Sequence, residues 1–385
     1  MGEAPGLRPT WAEIDLAAVR HNVRLLRRLA APAALCAVVK ADAYGHGAVA
    51  VAGAAVEAGA AWLAVALVEE GMTLRHAGIG APVLVLSEPT PSAMASVVEH
   101  RLTPTLYSAA GVAAAAAAAA AAGIVLGVHV KVDTGMHRVG AAPAEIPALV
   151  AAVTGAPSLA FDALWSHLAV ADEGGAEAAA FTAGQLAVLE ETRAALAAAG
   201  YDPPFVHAAN SAGAMAHPAG RLDMVRCGIA LYGVVPAPVV APVLAADAAV
   251  AGTELLRPVL SLRSSVALVR RLPAGARPSY GRRRAVADGA VVATVPIGYA
   301  DGVPRRYFAD GGTVLVGGRR RPLAGTVTMD QIVVDCGVDT AVSVGDEVVL
   351  IGRQGSETLT VQDWADVLGT IGNEVLTEIG ARVPR

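Results

Sequence analysis

The sequence predicts an α/β fold: a (β/α)8 TIM-type barrel of parallel strands, followed by a mostly β C-terminal domain. From about residue 33 to residue 232, eight short apolar runs alternate with Ala-rich stretches, which is the order that such a barrel requires. Beyond Val234 the pattern changes to β-branched runs broken by Gly, Asp and Pro. The length of 385 residues also favours two domains over one.

The eight apolar runs are the predicted barrel strands, and they cover residues 33–39, 62–67, 82–86, 103–106, 125–132, 159–167, 205–209 and 223–227. An open doubly wound sheet is the alternative, but no GxGxxG follows the first run, which removes the usual dinucleotide fingerprint. The low-complexity run 112–122 is nearly all alanine and predicts a helix.

The second domain is predicted from strands at 291–296, 313–317, 332–335 and 348–352, with helices near 361–368 and 373–379. Pro236 and Pro238 mark a joint between the two patterns. We therefore divide the chain into a barrel domain, 1–240, and a C-terminal domain, 241–385. A short strand predicted at 10–15 is extra to the barrel, and we expect it to pack with the second domain.

Composition excludes several classes of partner. The net charge of −5, with 16% charged residues, provides no basic field for a nucleic acid. The hydrophobic content is 55%, yet no apolar run reaches the roughly 20 residues that span a bilayer, so we expect no membrane segment. Residues 1–10 show no secretory signal pattern. The three cysteines are far apart in sequence, which argues against disulfides or a metal site and favours the cytoplasm.

Polar residues follow the predicted barrel strands, at the end where such barrels carry their chemistry. Between residues 128 and 133, His129, Lys131 and Asp133 alternate with valines, so the three polar residues share one face of a strand. Because the valine face would pack on helices, the polar face is predicted to point into the barrel. A polar inner layer is costly unless its members are paired, so it indicates a site.

Lysine is scarce: of 29 basic residues only Lys40 and Lys131 are lysine, which leaves 29 − 2 = 27 arginines. Lys40 could be an ordinary solvated strand-end residue. However, it follows a buried strand and precedes a Gly-rich turn, where desolvation would lower the pKa of its amine, as a Schiff-base lysine needs. His46 and His137 are interpreted as surface or loop residues. Neither an HExxH metal motif nor a GxSxG nucleophile elbow is present.

The run AVVKADAYGHG at residues 37–47 resembles the cofactor-lysine signature of the pyridoxal-phosphate-dependent alanine racemases, the fold-type III family. The resemblance continues in order along essentially the whole chain. Its further motifs are KVDTGMHRVG from Lys131, SH at His167, ANSAG from Ala209, VRCGIALYG from Val225, SYGRR from Ser279, PIGYADG from Pro296, TVTMDQ from Thr326 and ARVPR at the C-terminus. The family's architecture, a barrel followed by a β domain, agrees with the prediction above.

The resemblance implies catalytic roles for four residues. Lys40 corresponds to the lysine that holds pyridoxal 5'-phosphate and acts as base on one face of the substrate. Tyr280 corresponds to the base on the other face, contributed by the second subunit of a homodimer with shared active sites. Arg226 corresponds to the residue that contacts the pyridine nitrogen, and His167 to the residue that hydrogen-bonds the catalytic tyrosine.

The resemblance also implies binding roles. The residues that correspond to cofactor-phosphate contacts are Tyr44, Ser211, Gly228 and Ile229, and those that correspond to the substrate pocket are Arg138, Met329, Tyr299 and Asp330. Lys131 corresponds to a lysine that is often carbamylated and then orients Arg138. Two positions depart from the family: Asn373 stands where most members have a phosphate-contacting tyrosine, and Cys227 replaces a proline.

The resemblance implies interconversion of L- and D-alanine, supplying D-alanine for peptidoglycan. A racemase of broader or serine-type specificity is one alternative, because sequence does not size the pocket near Tyr299 and Met329. A non-catalytic barrel that binds pyridoxal phosphate is another. Such a barrel would need Lys40 and the phosphate loops but neither Tyr280 nor a second domain.

Overall fold

The structure, a computed structural model, describes residues 7–251, 255–338 and 340–385. The chain separates into two compact units. The first comprises residues up to Asp15, the short segment Tyr44–Gly47 and Pro258–Arg385, and the second comprises Leu16–Ala43 and Ala48–Arg257. The division into domains 1–240 and 241–385 stays a prediction.

The second unit is a closed barrel of eight parallel strands, which confirms the predicted (β/α)8 fold. The strands are β2 (Ala34–Val38), β3 (Trp62–Val65), β4 (Val83–Val85), β5 (Thr103–Leu106), β6 (Leu126–Lys131), β7 (Leu159–Trp165), β8 (Val206–His207) and β9 (Met224–Cys227), and β9 closes the barrel on β2. Each lies within one of the eight apolar runs. Since parallel strands are covered on both faces, most residues of these runs are apolar, and polar ones such as His129, Lys131 and Arg226 are exceptions.

Helices surround the strands of this unit. They are α1 (Leu16–Ala30), α2 (Lys40–Gly45, which extends into the first unit), α3 (Ala48–Glu57), α4 (Val68–His76), α5 (Met94–Glu99), α6 (Ala109–Ala122), α7 (Ile146–Thr154), α8 (Ala176–Ala198), α9 (Ser211–Ala216) and α10 (Ala237–Ala251). The alanine run forms α6, as predicted. It begins after Ser108, whose hydroxyl caps the Gly111 N–H, and ends at Gly123 in the left-handed conformation that glycine favours.

The segment directly after β2 has an unusual backbone. Ala41, Asp42, Ala43 and Tyr44 all have φ between +50° and +55°, so α2 is a left-handed helical turn of non-glycine residues. The left-handed conformation costs roughly 1–2 kcal/mol per L-residue, and its persistence requires that surrounding contacts hold it. The turn begins immediately after Lys40.

The first unit is mostly β, as the sequence predicts. Its larger sheet has the order β1 (Thr10–Ile14), β10 (Leu260–Ser265), β16 (Glu347–Gln354), β13 (Thr313–Val316) and β14 (Arg319–Pro322), with β17 (Glu357–Leu359) paired to β16. Its smaller sheet has the order β11 (Leu268–Leu272), β12 (Ala290–Val295) and β15 (Ile332–Gly337). Two helices follow, α11 (Val361–Leu368) and α12 (Gly372–Glu378). The extra strand β1 pairs antiparallel with β10.

The three cysteines, Cys36, Cys227 and Cys336, are buried free thiols. In the described part of the chain, no helix combines the length and apolar character needed to cross a bilayer.

Candidate active site

Eight of the residues singled out by sequence belong to the barrel unit and lie at or beyond the carboxyl ends of its strands: Lys40, Lys131, Arg138, His167, Ser211, Arg226, Gly228 and Ile229. Their positions follow from the topology, because all eight strands are parallel and end on the same side.

Arg226, on β9, is the centre of a buried hydrogen-bond network. Its side chain is almost fully buried. Nη1 donates to His207 Nδ1 at 2.6 Å, and Nη2 donates to the carbonyl oxygens of Ser166 at 2.8 Å and Ala208 at 2.9 Å. Nη2 also lies 3.1 Å from His167 Nδ1. The network therefore ties β9 to the ends of β7 and β8.

These contacts determine the state of three histidines. A guanidinium has only donors, so His207 Nδ1 accepts from Nη1. Nη2 has two protons for three acceptors, so His167 Nδ1 shares one of them with a carbonyl oxygen. His207 then carries its proton on Nε2 and donates it to His129 Nδ1, 3.1 Å away. All three rings are accordingly neutral. The pKa of His167 and of His207 is lowered far below its usual value, first by burial and then by the Arg226 charge. The same two causes lower the pKa of His129 to about 3.

Trp165, the last residue of β7, packs against this network. Its ring stacks on His207 with centroids 5.3 Å apart and planes inclined by 12°. The Arg226 guanidinium lies 4.5 Å from the Trp165 centroid, and Lys131 Nζ lies 4.3 Å from it. An aromatic face accommodates a cation in a poorly hydrated interior. His129 and Lys131 thus lie buried inside the barrel, as their alternation with valines predicts.

The amine of Lys131 is easily deprotonated. Burial, followed by the charges of Arg226 and Arg138, lowers its pKa to about 7. The pKa of Lys40 is also lowered, first by burial and then by Arg138, while Glu70 opposes the shift. Lys131 can therefore lose its proton near neutral pH, and the pKa of Lys40 is shifted in the same direction.

Asp133 does not join the inner layer predicted for it. Strand β6 ends at Lys131, and the Asp133 carboxylate accepts from the N–H groups of Gly135 and His137, each at 3.0 Å. It thereby closes the turn that leads to Arg138, whose side chain is exposed. The prediction that Asp133 points into the barrel is wrong, because the strand ends two residues earlier. His137 is exposed, as expected.

A hydroxyl and backbone amides meet at the ends of β8 and β9. Ser211 Oγ accepts from Gly228 N–H at 2.9 Å and from Ala230 N–H at 3.4 Å. A hydroxyl that accepts in this way still has its own proton to donate. Together with the backbone near Ile229, this group suits an anion such as a phosphate.

The other predicted residues, Tyr44, Tyr280, Tyr299, Met329 and Asp330, belong to the first unit. The segment 326–331 connects four of them. Thr326 Oγ1 donates to the Tyr280 carbonyl at 2.9 Å, and Ala300 N–H donates to the Met329 carbonyl at 3.1 Å. Tyr280 projects from a turn in which Ser279 has φ +66° and Gly281 has φ +73°, and its side chain is 69% exposed.

Tyr44 ends the left-handed turn and is buried, and burial raises its pKa to about 12, so its hydroxyl keeps its proton. Nearby, His46 is also buried, and its Nδ1 donates to the Tyr44 carbonyl at 2.9 Å. His46 is a loop residue, as one part of the interpretation has it, but it does not lie at the surface, because the turn folds its ring inward.

Two family models match the chain in sequence. Residues 14–236 match "Alanine racemase, N-terminal domain", and residues 259–385 match "Alanine racemase, C-terminal domain". The chain belongs to the alanine racemase family. Similar curated proteins are the alanine racemases of Symbiobacterium thermophilum and Carboxydothermus hydrogenoformans. The first is 47% identical, covering 99% of this chain and 97% of the relative, and the second is 40% identical, covering 98% and 99%.

Solved structures of the family have the same fold. The alanine racemase of Streptomyces coelicolor A3(2) has a TM-score of 0.89 at 41% identity, covering 98% of this chain and 97% of that chain. The alanine racemase of Bacillus anthracis, solved with bound L-Ala-P, has a TM-score of 0.89 at 36% identity, covering 99% and 95%. The resemblance inferred from the motifs is confirmed.

Sequence reasoning missed several residues that support the site. Gln185, on α8, accepts from Ala169 N–H at 2.9 Å and donates to the His167 carbonyl at 3.1 Å, which fixes the loop carrying His167. Trp165 and His207 end β7 and β8, and no motif singles them out. Gln185 is one of several polar residues on the long helix α8, so the sequence alone does not mark it as a residue that supports the site.

The three neutral histidines predict an acid-sensitive fold. Their pKa values are lowered on folding from about 6.5 in the unfolded chain. The unfolded state therefore binds more protons below that pH, and the free energy of unfolding falls by up to about 1.4 kcal/mol per pH unit for each ring. We expect urea unfolding to show stability falling from pH 7 to pH 5, and His129→Gln to make this dependence shallower. An unchanged slope in that variant would contradict the assignment of His129.

Proposed function

We propose that this protein is a pyridoxal-phosphate-dependent racemase that interconverts L- and D-alanine. The observation that carries the proposal is the barrel-end cluster in which two lysines with lowered pKa accompany a buried arginine held by two neutral histidines. The names of the relatives support alanine as the substrate.

The residues present fit the cofactor. Lys40 offers a desolvated primary amine for covalent attachment. Ser211, Gly228, Ile229 and the protonated hydroxyl of Tyr44 would hold the phosphate. Arg226 would donate to the pyridine nitrogen, since its contacts to protein engage Nη1 and Nη2 and it has a further proton on Nε. When bound, pyridoxal phosphate stabilises the negative charge that proton removal leaves on the substrate Cα.

Inversion at Cα requires removing a proton on one side and returning it on the other. Lys40 Nζ takes or gives the proton on one face, and Tyr280 Oη does so on the opposite face. The neutral Nε2–H tautomer of His167 is defined by Arg226, so its Nε2 proton is available to hydrogen-bond the tyrosine oxygen and stabilise its deprotonated form.

Arg226 limits side reactions by keeping its own protons. Burial lowers its pKa only to about 10, so it stays charged at neutral pH. A charged donor leaves the ring nitrogen unprotonated, whereas a carboxylic acid in its place would supply a proton. Beside Arg226, bound pyridoxal phosphate would be a weaker electron sink, so prompt return of the proton to Cα by Lys40 or Tyr280 would be favoured over transamination and decarboxylation.

A second copy of the chain would complete the site, with Tyr280 of the partner subunit as the second base. Support comes from exposure: a base that must work on a substrate shielded from water cannot act from a side chain that is 69% exposed unless another surface covers it. Met329, Tyr299 and Asp330 belong to the same unit as Tyr280 and would line the same pocket. The free thiols of the three cysteines support a cytoplasmic enzyme, one that supplies D-alanine for peptidoglycan.

We further propose that Lys131 is carbamylated. Its pKa of about 7 supplies the neutral amine, which attacks carbon dioxide, forms an N–C bond and releases one proton. The new carboxylate would orient Arg138, whose planar guanidinium then receives the substrate carboxylate. We expect protein in ¹³C-bicarbonate to show a carbamate carbon resonance that Lys131→Ala lacks, and we expect that variant to raise the KM for alanine about tenfold with a smaller change in kcat. An unaltered spectrum would refute the modification.

The function is tested by supplying purified protein with pyridoxal phosphate and following several amino acids by chiral chromatography. We expect alanine to be racemised fastest. Faster conversion of serine would favour the alternative of broader specificity, to which Asn373 could contribute by enlarging the entrance. Cofactor binding without racemisation of any amino acid would favour the non-catalytic barrel.

A further inference from the structure

Glu70, on α4, binds the backbone that follows Lys40. Its Oε1 accepts from Ala41 N–H at 2.6 Å. Its Oε2 accepts from Ala66 N–H at 2.8 Å and Leu67 N–H at 3.0 Å, at the beginning of its own helix. One carboxylate thus connects the turn after β2 to the turn after β3.

The contact is made at the start of the left-handed turn. Ala41 is the first of four consecutive non-glycine residues with positive φ, a conformation that persists only where surrounding contacts hold it. At the other side of the turn, the Asp42 carboxylate accepts from Ala48 N–H at 2.7 Å, and Ala43 N–H donates to the Val39 carbonyl at 2.9 Å. At the peptide group that joins Lys40 to Ala41, Glu70 supplies the side-chain acceptor for the Ala41 N–H.

The orientation of that peptide group sets the direction of the Lys40 side chain. If the Ala41 N–H were released, the turn could relax toward ordinary negative φ, and the Lys40 backbone would rotate with it. A carboxylate also forms stronger bonds to N–H donors than a neutral acceptor does. We propose that Glu70 is a positioning residue: its bond to Ala41 N–H holds the left-handed turn that aims the Lys40 amine at the cofactor.

The chain offers a matched control in Glu88. Its carboxylate accepts from Tyr107 N–H at 2.6 Å, Ser108 N–H at 2.9 Å and the Ser108 hydroxyl at 2.5 Å. It therefore connects the turns after β4 and β5 as Glu70 connects those after β2 and β3. Neither of the two turns that Glu88 connects contains a lysine. Loss of Glu88 reports the general effect of loosening two barrel loops.

Glu70→Gln disrupts the relevant bond selectively. A glutamine has one acceptor oxygen, and if this oxygen keeps the two N–H groups of Ala66 and Leu67, the amide NH2 faces the Ala41 N–H and cannot accept from it. Ala41→Gly provides the rescue, because glycine adopts positive φ freely and the alanine methyl is exposed. If Glu70 acts by holding Ala41, glycine at this position should compensate for its loss.

This inference rests on the proposed role of Lys40, so the holoenzyme is examined first. Borohydride reduction followed by peptide mass spectrometry should place the cofactor on Lys40 of the wild-type protein. Failure at this step contradicts the proposed function itself. The rate at which hydroxylamine releases the cofactor is then measured for the wild-type protein, Glu70→Gln, Glu88→Gln, Ala41→Gly and the double variant Glu70→Gln/Ala41→Gly, with thermal midpoints recorded in parallel.

We expect release to be about tenfold faster in Glu70→Gln, with kcat reduced about as much and the KM for alanine nearly unchanged. Glu88→Gln should stay within twofold of the wild-type protein, and the double variant should recover most of the lost rate. The proposal is overturned if Glu70→Gln releases the cofactor at the wild-type rate, or if Glu88→Gln accelerates release as much as Glu70→Gln does. It is also overturned if adding Ala41→Gly to Glu70→Gln does not slow the release. If Glu70→Gln does not fold, Glu70→Asp is measured with the same rescue and the same criteria.

Discussion

Replacing Lys40 with arginine is expected to abolish racemisation, with kcat lowered by at least about 10⁴-fold, the scale on which enzymes lose a covalent and acid–base group together. Arginine keeps the positive charge and much of the length of the side chain. It cannot lose its proton near neutral pH, so it can neither attach to the cofactor aldehyde nor act as a base. The measurement is the initial rate from each alanine enantiomer by chiral chromatography.

Lys131→Arg is the matched control for this experiment, because it makes the same chemical change at the only other lysine. The proposed role of Lys131 is to orient Arg138, so its loss should weaken substrate binding and leave substantial turnover. If Lys40→Arg kept more than about 1% of the wild-type kcat, or if Lys131→Arg were the inactive variant, the assignment of the two lysines would be wrong.

Replacing Tyr280 with phenylalanine is expected to affect the two enantiomers unequally. The variant lacks the phenol oxygen that exchanges a proton on one face, while Lys40 still serves the other. We expect removal of the L-alanine proton to slow by about 10³-fold, within the range for a general base. Removal of the D-alanine proton should slow far less, so that D-alanine exchanges deuterium with solvent without inverting.

The readout for Tyr280→Phe is deuterium incorporation in D2O, measured separately from pure L- and pure D-alanine. Tyr299→Phe serves as the control, because Tyr299 is another partly exposed tyrosine of the same unit but has no assigned role as a base. Equal losses for both enantiomers in Tyr280→Phe would count against a scheme with two bases.

Regular periodicity made most of the fold predictable. Each barrel strand lies within a run whose apolar side chains are required on both faces, and α11 has the predicted bounds because Thr360 and Asp363 cap its start and Gly369 ends it. Lys131 and His129 were assigned to the barrel interior from their alternation with valines. Strand periodicity and helix capping are set by residues a few positions apart in the chain, so they can be recognised in the sequence.

The features that could not be predicted from the sequence depend on contacts between distant residues or on local departures from regular structure. The left-handed turn after Lys40 has no glycine among its first four residues to signal positive φ, and Glu70 holds it from another helix. Asp133 was misplaced because β6 ends before it. The neutral state of His207 follows from Arg226, which is 19 residues away in the chain. Such partners become evident only when the strands are assembled.

The two-base proposal means that one proton leaves one face of the alanine Cα and a different proton is delivered to the opposite face. It is tested most directly by incubating the wild-type protein and pyridoxal phosphate in D2O with pure L-alanine and, separately, with pure D-alanine. We predict that both reactions reach equal amounts of the two enantiomers and that each product carries one deuterium at Cα. Alanine that keeps its configuration, or that inverts without taking up solvent deuterium, would contradict the account.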